Sequence, residues 1–194
     1  MVKTDLTDQV GRLLRTTWRT ISYYPNATLL DPSSYSPDTV PALLQWRGSL
    51  SPHETLLAKV HELTHATLHP PGCGDFNWED YCREEPCSHE ATHLICSDYG
   101  ISDYRTTMIN LQVTEKWFDG INPETVAVMV ERVHSALNSP EVIPDWAKAV
   151  DKAEWQRAKI EANRRRELLD ETCSESPPRT ADLVRRIYEA GESP

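Results

Sequence analysis

The chain has 194 residues, 39% hydrophobic and 26% charged, the composition of a globular protein with material for one sizeable core. Acidic residues outnumber basic ones 30 to 20, for a net charge of −10, which excludes a general nucleic-acid coat; no direct nucleic-acid binding is expected. No apolar run reaches the ~18 residues of a membrane span, and Met1-Val2-Lys3-Thr4-Asp5 has no apolar signal core, so a cytoplasmic protein with no membrane contact is expected.

Leu6, Val10, Leu13, Leu14, Trp18 and Ile21 recur near helical spacing and predict an amphipathic helix over 5–21, ended by Tyr23-Tyr24-Pro25-Asn26. Residues 25–41 hold four prolines and many serines and read as loop around a short apolar segment, Ala27–Leu30, with which Ala42–Trp46 could pair as an edge hairpin. Ser51-Pro52-His53-Glu54 is a helix start: serine caps, proline takes the first helical position, and glutamate closes a capping box. That helix should run over 52–69, with Leu56, Val60, Leu63 and Leu68 near one face, until Pro70-Pro71-Gly72 stops it. Residues 70–83 read as loop. Pro86 should open the next helix, which Gly100 terminates. Asn122-Pro123-Glu124 opens another, with Val126, Val130, Val133 and Leu137 inward.

After the break at 138–144, a charged helix is expected over 145–172, then a polar linker over 173–179 and a last helix over 180–190. The domain expectation is therefore a folded domain over 1–139 and a charged helical extension over 140–194. The extension has a thin apolar stripe (Trp146, Val150, Ala153, Ile160) and a basic run, Arg164-Arg165-Arg166; it should be dispensable for metal binding, and it suits equally docking a partner or a second copy in a homodimer and packing on the domain as a solvated helix.

The chemistry is carried by His61-Glu62-Leu63-Thr64-His65. Histidines at i and i+4 share one helix face and can converge on one cation, and zinc suits imidazole nitrogen. Glu62 projects about 100° round the helix from His61, beside the ion, where it can take a proton from water whose pKa the metal lowers to about 7. A catalytic zinc needs a third protein ligand and an open position. Candidates lie in residues 83–93, where His89-Glu90-Ala91-Thr92-His93 is a second match to the same pattern. Either pattern could be the metal helix, or both helices could contribute to one site.

His61 to His69, read as HELTHATLH, resembles the metal helix of ImmA/IrrE-type metallopeptidases. Glu85 to Cys96 is similar, without a gap, to the helix that follows in the actinobacterial and phage branch and in the C-terminal domain of ArdC-type antirestriction proteins. Ser97 to Ile101, Asp103-Tyr104, Asn122-Pro123-Glu124 and Glu131-Arg132-Val133 extend the likeness, which covers roughly 55–137. The resemblance implies a mainly helical, α+β, zincin-like domain with a small sheet near the metal helix. It also implies Zn²⁺ held by His61, His65 and Glu85, with Glu62 as general base and then acid. Its partner would be a protein substrate, typically a helix-turn-helix repressor in phage or mobile-element regulation. This chain departs from the pattern at two points. Pro86 places Glu85 at a helix start rather than inside one, and His89 replaces an acid; both leave His89 open as third ligand or as a residue orienting one.

The remaining candidates have structural readings beside functional ones. His69 lies about 12 Å along the helix from His61, too far to share the ion, and should meet terminal carbonyls. Tyr99 and Tyr104 could donate to the oxyanion of a tetrahedral intermediate, Tyr104 being the candidate stabiliser, or simply pack. His53 and His134 read as surface residues. The cysteines at 73, 82, 87 and 96 lack a paired C-x2-C knuckle, and Cys96 reads as a core thiol. The rival functional class is an interaction module on the same scaffold, acting by binding alone.

Overall fold

A computed structural model of the chain describes residues 5–29, 31–73, 78–110 and 120–151, with Ala153, Glu154, Gln156, Arg157 and Ile160 beyond them. Two compact units divide the chain, Met1–Trp155 and Gln156–Pro194. Of the second, only Gln156, Arg157 and Ile160 are described. The basic run at 164–166, the linker, the last helix and the homodimer contact expected of the extension lie outside the described residues.

The first unit is α+β. Its described elements are five helices, α1 (Leu6–Thr17), α2 (Pro52–Ala66), α3 (Trp78–Asp98), α4 (Tyr104–Asn110) and α5 (Pro123–Asn138), and three strands, β1 (Ile21–Asn26), β2 (Ser33–Ser36) and β3 (Ala42–Arg47). No helix among the described residues is long and apolar enough to cross a membrane.

Asp5 caps α1 by accepting from the Thr7 amide at 2.9 Å, and Leu6, Val10, Leu13 and Leu14 form its buried stripe. The helix ends at Thr17, earlier than its spacing suggested, because Ile21 to Asn26 are drawn out as β1. The sheet order is β1-β3-β2, with β1 parallel and β2 antiparallel to β3. The hairpin expected between Ala27–Leu30 and Ala42–Trp46 does not form. The Asn26 carboxamide instead accepts from the Thr28 amide at 2.9 Å and turns the chain there, leaving β1 and β2 to flank β3. Pro25 is tolerated because β1 is an edge strand.

The capping box at the start of α2 is formed: the Ser51 amide donates to Glu54 at 2.7 Å, and the Glu54 amide donates to the Ser51 hydroxyl at 3.3 Å. From Leu56 to Ala66 nearly every residue is buried, because α2 packs against β2 and β3 and against α1, α3 and α5. Leu57 and Leu63 are fully buried, each contributing roughly 1.5–3 kcal/mol relative to exposure. The helix that carries His61 and His65 is thus the central element of the unit.

The expected helix start at Pro86 is corrected: α3 begins at Trp78 and carries Pro86 inside it. Proline removes one backbone hydrogen bond and crowds the preceding turn. The helix continues through it because Glu85 and Ser88, on either side, both bond His65 of α2, and Pro86 itself is buried. The Asn122 carboxamide caps α5 as expected, accepting from the Glu124 and Thr125 amides at 2.9 and 3.3 Å. Val126, Met129, Val133, Ala136 and Leu137 line its buried face.

The segment after α5 is also corrected. The helix expected from 145 starts later: the break continues as a strap, with a single 3-10 turn at Asp145–Ala147 and irregular chain to Asp151, and the described residues beyond it, Ala153, Glu154, Gln156, Arg157 and Ile160, are helical. Trp146 and Ala147 join the main core, so the boundary expected at 139/140 falls inside the compact unit. The strap is pinned at two points. The Thr16 hydroxyl donates to the Pro140 carbonyl at 2.6 Å, and the Val150 amide donates to the Pro71 carbonyl at 2.9 Å. Gly72 sits beside the second pin at φ +87°, and a Cβ there would meet the Val150 carbonyl oxygen at 3.0 Å. Trp146→Ala should therefore cost about 3–5 kcal/mol in urea unfolding, and truncation after Asn138 should destabilise the unit at least as much. Full stability of that truncated chain would show that the strap is dispensable.

Candidate metal centre

His61 and His65 lie one turn apart on α2, their rings edge to face with centroids 5.0 Å apart. Glu85 enters from α3. Its Oε1 is 3.4 Å from His61 Nε2 and its Oε2 is 3.0 Å from His65 Nε2. The three potential ligand atoms lie within 4.8 Å of one another, and no other group of three or more such residues does so among the described residues. Two imidazole nitrogens and one carboxylate oxygen, all poorly accessible, form a donor set that fits Zn²⁺. Glu85 reaches them from within α3, not from a helix start.

His89, one turn beyond Glu85, does not point its Nε2 at an independent ligand position. It contacts Glu85 Oε1 at 3.0 Å, and its ring lies over His61 with centroids 4.3 Å apart. The second HExxH match separates: Glu90 pairs with Arg105, and His93 remains outside the cluster with its Nδ1 unbonded.

Charge explains how these groups coexist. Burial alone would raise the Glu85 pKa; the charge of His61 and hydrogen bonds with His61, His65 and His89 outweigh it and hold the carboxyl well below the usual range. His89 moves the other way, down to about 4, because burial and the neighbouring His61 disfavour its charged form more than Glu85 favours it. Glu62, with Oε1 4.0 Å from His61 Nε2, is pushed up to about 7 by burial, against the lowering influence of His65 and a hydrogen bond with Ser33. A carboxyl poised there suits proton transfer near neutral pH.

Three neighbours complete the site. Tyr104, on α4, is fully buried, and its hydroxyl meets His89 Nδ1 at 2.6 Å and His61 Nδ1 at 3.3 Å. Read from the sequence as either an oxyanion donor or a packed tyrosine, it packs against the ring nitrogens turned away from Glu85. Ser88 and Ser33 were not anticipated. The Ser88 hydroxyl lies 3.2 Å from His65 Nδ1. Helical spacing could have found Ser88, since Glu85, Ser88 and His89 share one face of α3. Nothing local marks Ser33, which reaches Glu62 from the sheet.

The other candidates are placed elsewhere. His69 does not meet terminal carbonyls through its ring: Nε2 contacts Glu84 at 2.6 Å. Burial lowers its pKa, but hydrogen bonds with Cys73 and Glu84 prevail and raise it to about 9. His53 pairs with Asp103 at 2.9 Å in an exposed position, and the partly exposed His134 lies 3.4 Å from Asp98. Cys73, Cys87 and Cys96 are buried free thiols in separate surroundings: beside His69, against the Asn122 backbone, and in the main core. The Cys82 side chain lies outside the described residues.

Comparison of the chain with protein-family models, with curated proteins and with solved structures gives no match.

Glu62 holds its proton more tightly in the folded chain, at about 7, than at the ordinary glutamate value of 4.5. In the metal-free protein this contribution is fully present below the unfolded pKa and is lost as pH rises through the folded one, at up to about 1.4 kcal/mol per pH unit. Urea unfolding of wild type and Glu62→Gln across pH 4–8 should show wild type falling relative to the variant over that window. Parallel profiles would mean that folding leaves Glu62 unperturbed.

Proposed function

We propose that the chain is a zinc-dependent endopeptidase of ImmA/IrrE type on a zincin-like scaffold. Its substrate is a regulatory protein, with a helix-turn-helix repressor in a phage or mobile-element setting as the leading class. The observation that carries this reading is the convergence of His61 and His65 from α2 with Glu85 from α3, beside a buried Glu62 that is not among the three ligands. The family resemblance of the HELTHATLH segment supplies the substrate class.

His61, His65 and Glu85 would hold the ion and leave a further position open. When bound, Zn²⁺ supplies Lewis acidity that makes water a competent nucleophile at neutral pH and polarises the scissile carbonyl. Glu62 takes the proton from the attacking water and delivers it to the leaving amine nitrogen, so one carboxyl serves as base and then as acid. Its raised pKa suits both steps. Ser33 ties Glu62 to the beginning of β2, an edge strand of the described sheet. An extended peptide added along that edge would pass beside Glu62.

Purified wild type should contain about one Zn²⁺ per chain by elemental analysis, and His61→Ala and His65→Ala should each lose it. Unchanged metal in both variants would remove the basis of the assignment. Glu62→Gln should retain the metal while cleavage of a co-expressed repressor, read by gel, falls by about 10²-fold or more. A wild-type chain that produces no cleavage, together with a Glu62→Gln chain that keeps its full cellular effect, would favour action by binding alone.

A further inference from the structure

We infer that Tyr104 and His89 are positioning residues that tie ligand His61 to ligand Glu85 through one directed chain of hydrogen bonds, with His89 a donor to Glu85 and not a metal ligand. The inference rests on the metal-site reading above.

The direction follows from counting protons. A neutral imidazole that offers Nε2 to a cation carries its hydrogen on Nδ1. His61 Nδ1–H therefore donates to the Tyr104 oxygen, 3.3 Å away. His89 Nε2 lies 3.0 Å from Glu85 Oε1. Glu85, as an ionised ligand, can only accept, so the hydrogen of that contact sits on His89 Nε2. The Tyr104 oxygen accepts from His61 and so keeps its own hydrogen to give, and the second ring nitrogen facing it is His89 Nδ1. The donor facing that Nδ1 at 2.6 Å is the Tyr104 hydroxyl. The chain thus runs from His61 Nδ1–H to Tyr104, from Tyr104 O–H to His89 Nδ1, and from His89 Nε2–H to Glu85.

Thr92 gives its own hydrogen to the Ser88 carbonyl at 2.7 Å, so it does not take the place of His61 as donor to the Tyr104 oxygen. The other imidazole ligand is braced separately. His65 Nδ1–H donates to Ser88 Oγ at 3.2 Å, and Ser88 passes its hydrogen to the Met129 sulfur at 3.9 Å.

Two consequences follow. The only proton of the Tyr104 hydroxyl is committed to His89, so it does not serve a reacting oxyanion. And with the His89 Nε2 lone pair occupied by its own hydrogen, the protein supplies three ligands rather than four.

The test uses full-length protein with ¹⁵N-labelled histidine and zinc alone as the probe. In zinc-loaded wild type, NMR should show coordinated Nε2 on His61 and His65 and a neutral, Nε2-protonated His89. Tyr104→Phe removes one oxygen from a buried ring. It should mix the His89 tautomers and weaken zinc binding roughly 10–100-fold, with the folded amide spectrum retained. His89→Gln can still present an N–H to Glu85 and should bind zinc nearly as well as wild type, whereas His89→Ala should lose affinity to the same degree as Tyr104→Phe. A coordinated or Nδ1-protonated His89 in wild type would overturn the inference. So would unchanged zinc affinity in Tyr104→Phe, or equal losses in His89→Gln and His89→Ala. A wild-type chain that binds no zinc sinks the metal reading and this inference together; a zinc-binding chain indifferent to Tyr104 sinks only the inference.

Discussion

Glu85 brings a carboxylate into a place where only 12% of its side chain meets solvent. An ionised carboxylate in such surroundings costs several kcal/mol unless it is paired and hydrogen-bonded. Its partners are three imidazoles, two from α2 and one from α3. That requirement fixes the approach of the two helices: α3 must present Glu85 at the height of His61 and His65, within a fraction of an ångström. It also accounts for a helix running through Pro86. A proline inside a helix costs about 3 kcal/mol or more, and the polar contacts on either side of Pro86 and its own burial oppose that cost. The α2–α3 contact is therefore a polar joint inside an apolar unit. Leaving one partner unpaired there would cost more than the pairing itself contributes.

The second constraint is that α2 has work on two faces. His61 and His65 look toward α3, while Glu62, the next residue, is rotated about 100° away and meets Ser33 of the sheet. Both faces must be dry for the groups to differ in protonation. Glu85 is held low because the charge of His61 and hydrogen bonds with His61, His65 and His89 outweigh its burial, and Glu62 rises to about 7 because burial dominates its surroundings. Two carboxyls on adjoining helices are thereby driven in opposite directions by what packs on them. The strap from Pro140 to Val150 contributes indirectly: Trp146 and Ala147 belong to the same core as Leu57, Leu63 and Ile95, which flank the histidines along α2 and α3.

Much of this was legible in the chain before its fold was known, and the unreadable parts share a cause. The start of α2 was readable because every signal for it is local: cap, proline and reciprocal glutamate lie within four residues. The HExxH spacing was readable for the same reason. The strands were not. Ser33-Ser34-Tyr35-Ser36 has no apolar alternation, and it is a strand because β3 offers it a partner. Pro86 was misread as a boundary because the contacts that carry α3 through it come from a different helix. Tyr104 was recognised as a candidate, but its partners were not, since nothing in its neighbourhood tells which distant imidazoles it will meet. Residues 145–151, the end of the strap, read as the start of a helix from their charge and apolar spacing. Its Trp146 is recruited by a core assembled from α1, α2 and α5.

The repetition of HExxH within one chain separates motif from site. Both copies place two histidines a turn apart on a helix with a glutamate between them, so spacing alone treats them as equals. In the first copy, both rings and the glutamate are buried by elements on opposite sides of α2, and a carboxylate arrives from the neighbouring helix. In the second copy the three residues diverge. His89 turns inward to Glu85 and Tyr104, Glu90 turns out to Arg105, and His93 is left half-buried with one nitrogen unbonded. Local spacing makes convergence geometrically available in both. The anion that the second helix contributes would make it favourable in one, because a cation held by two imidazoles would gain a compensating charge only where Glu85 reaches it. The second pattern has no such partner, and its inward histidine acts as support for the first. A candidate metal helix of this kind is thus defined by the side chain opposite it, which is why the α2–α3 joint, more than the five-residue pattern, marks where a metal would be held.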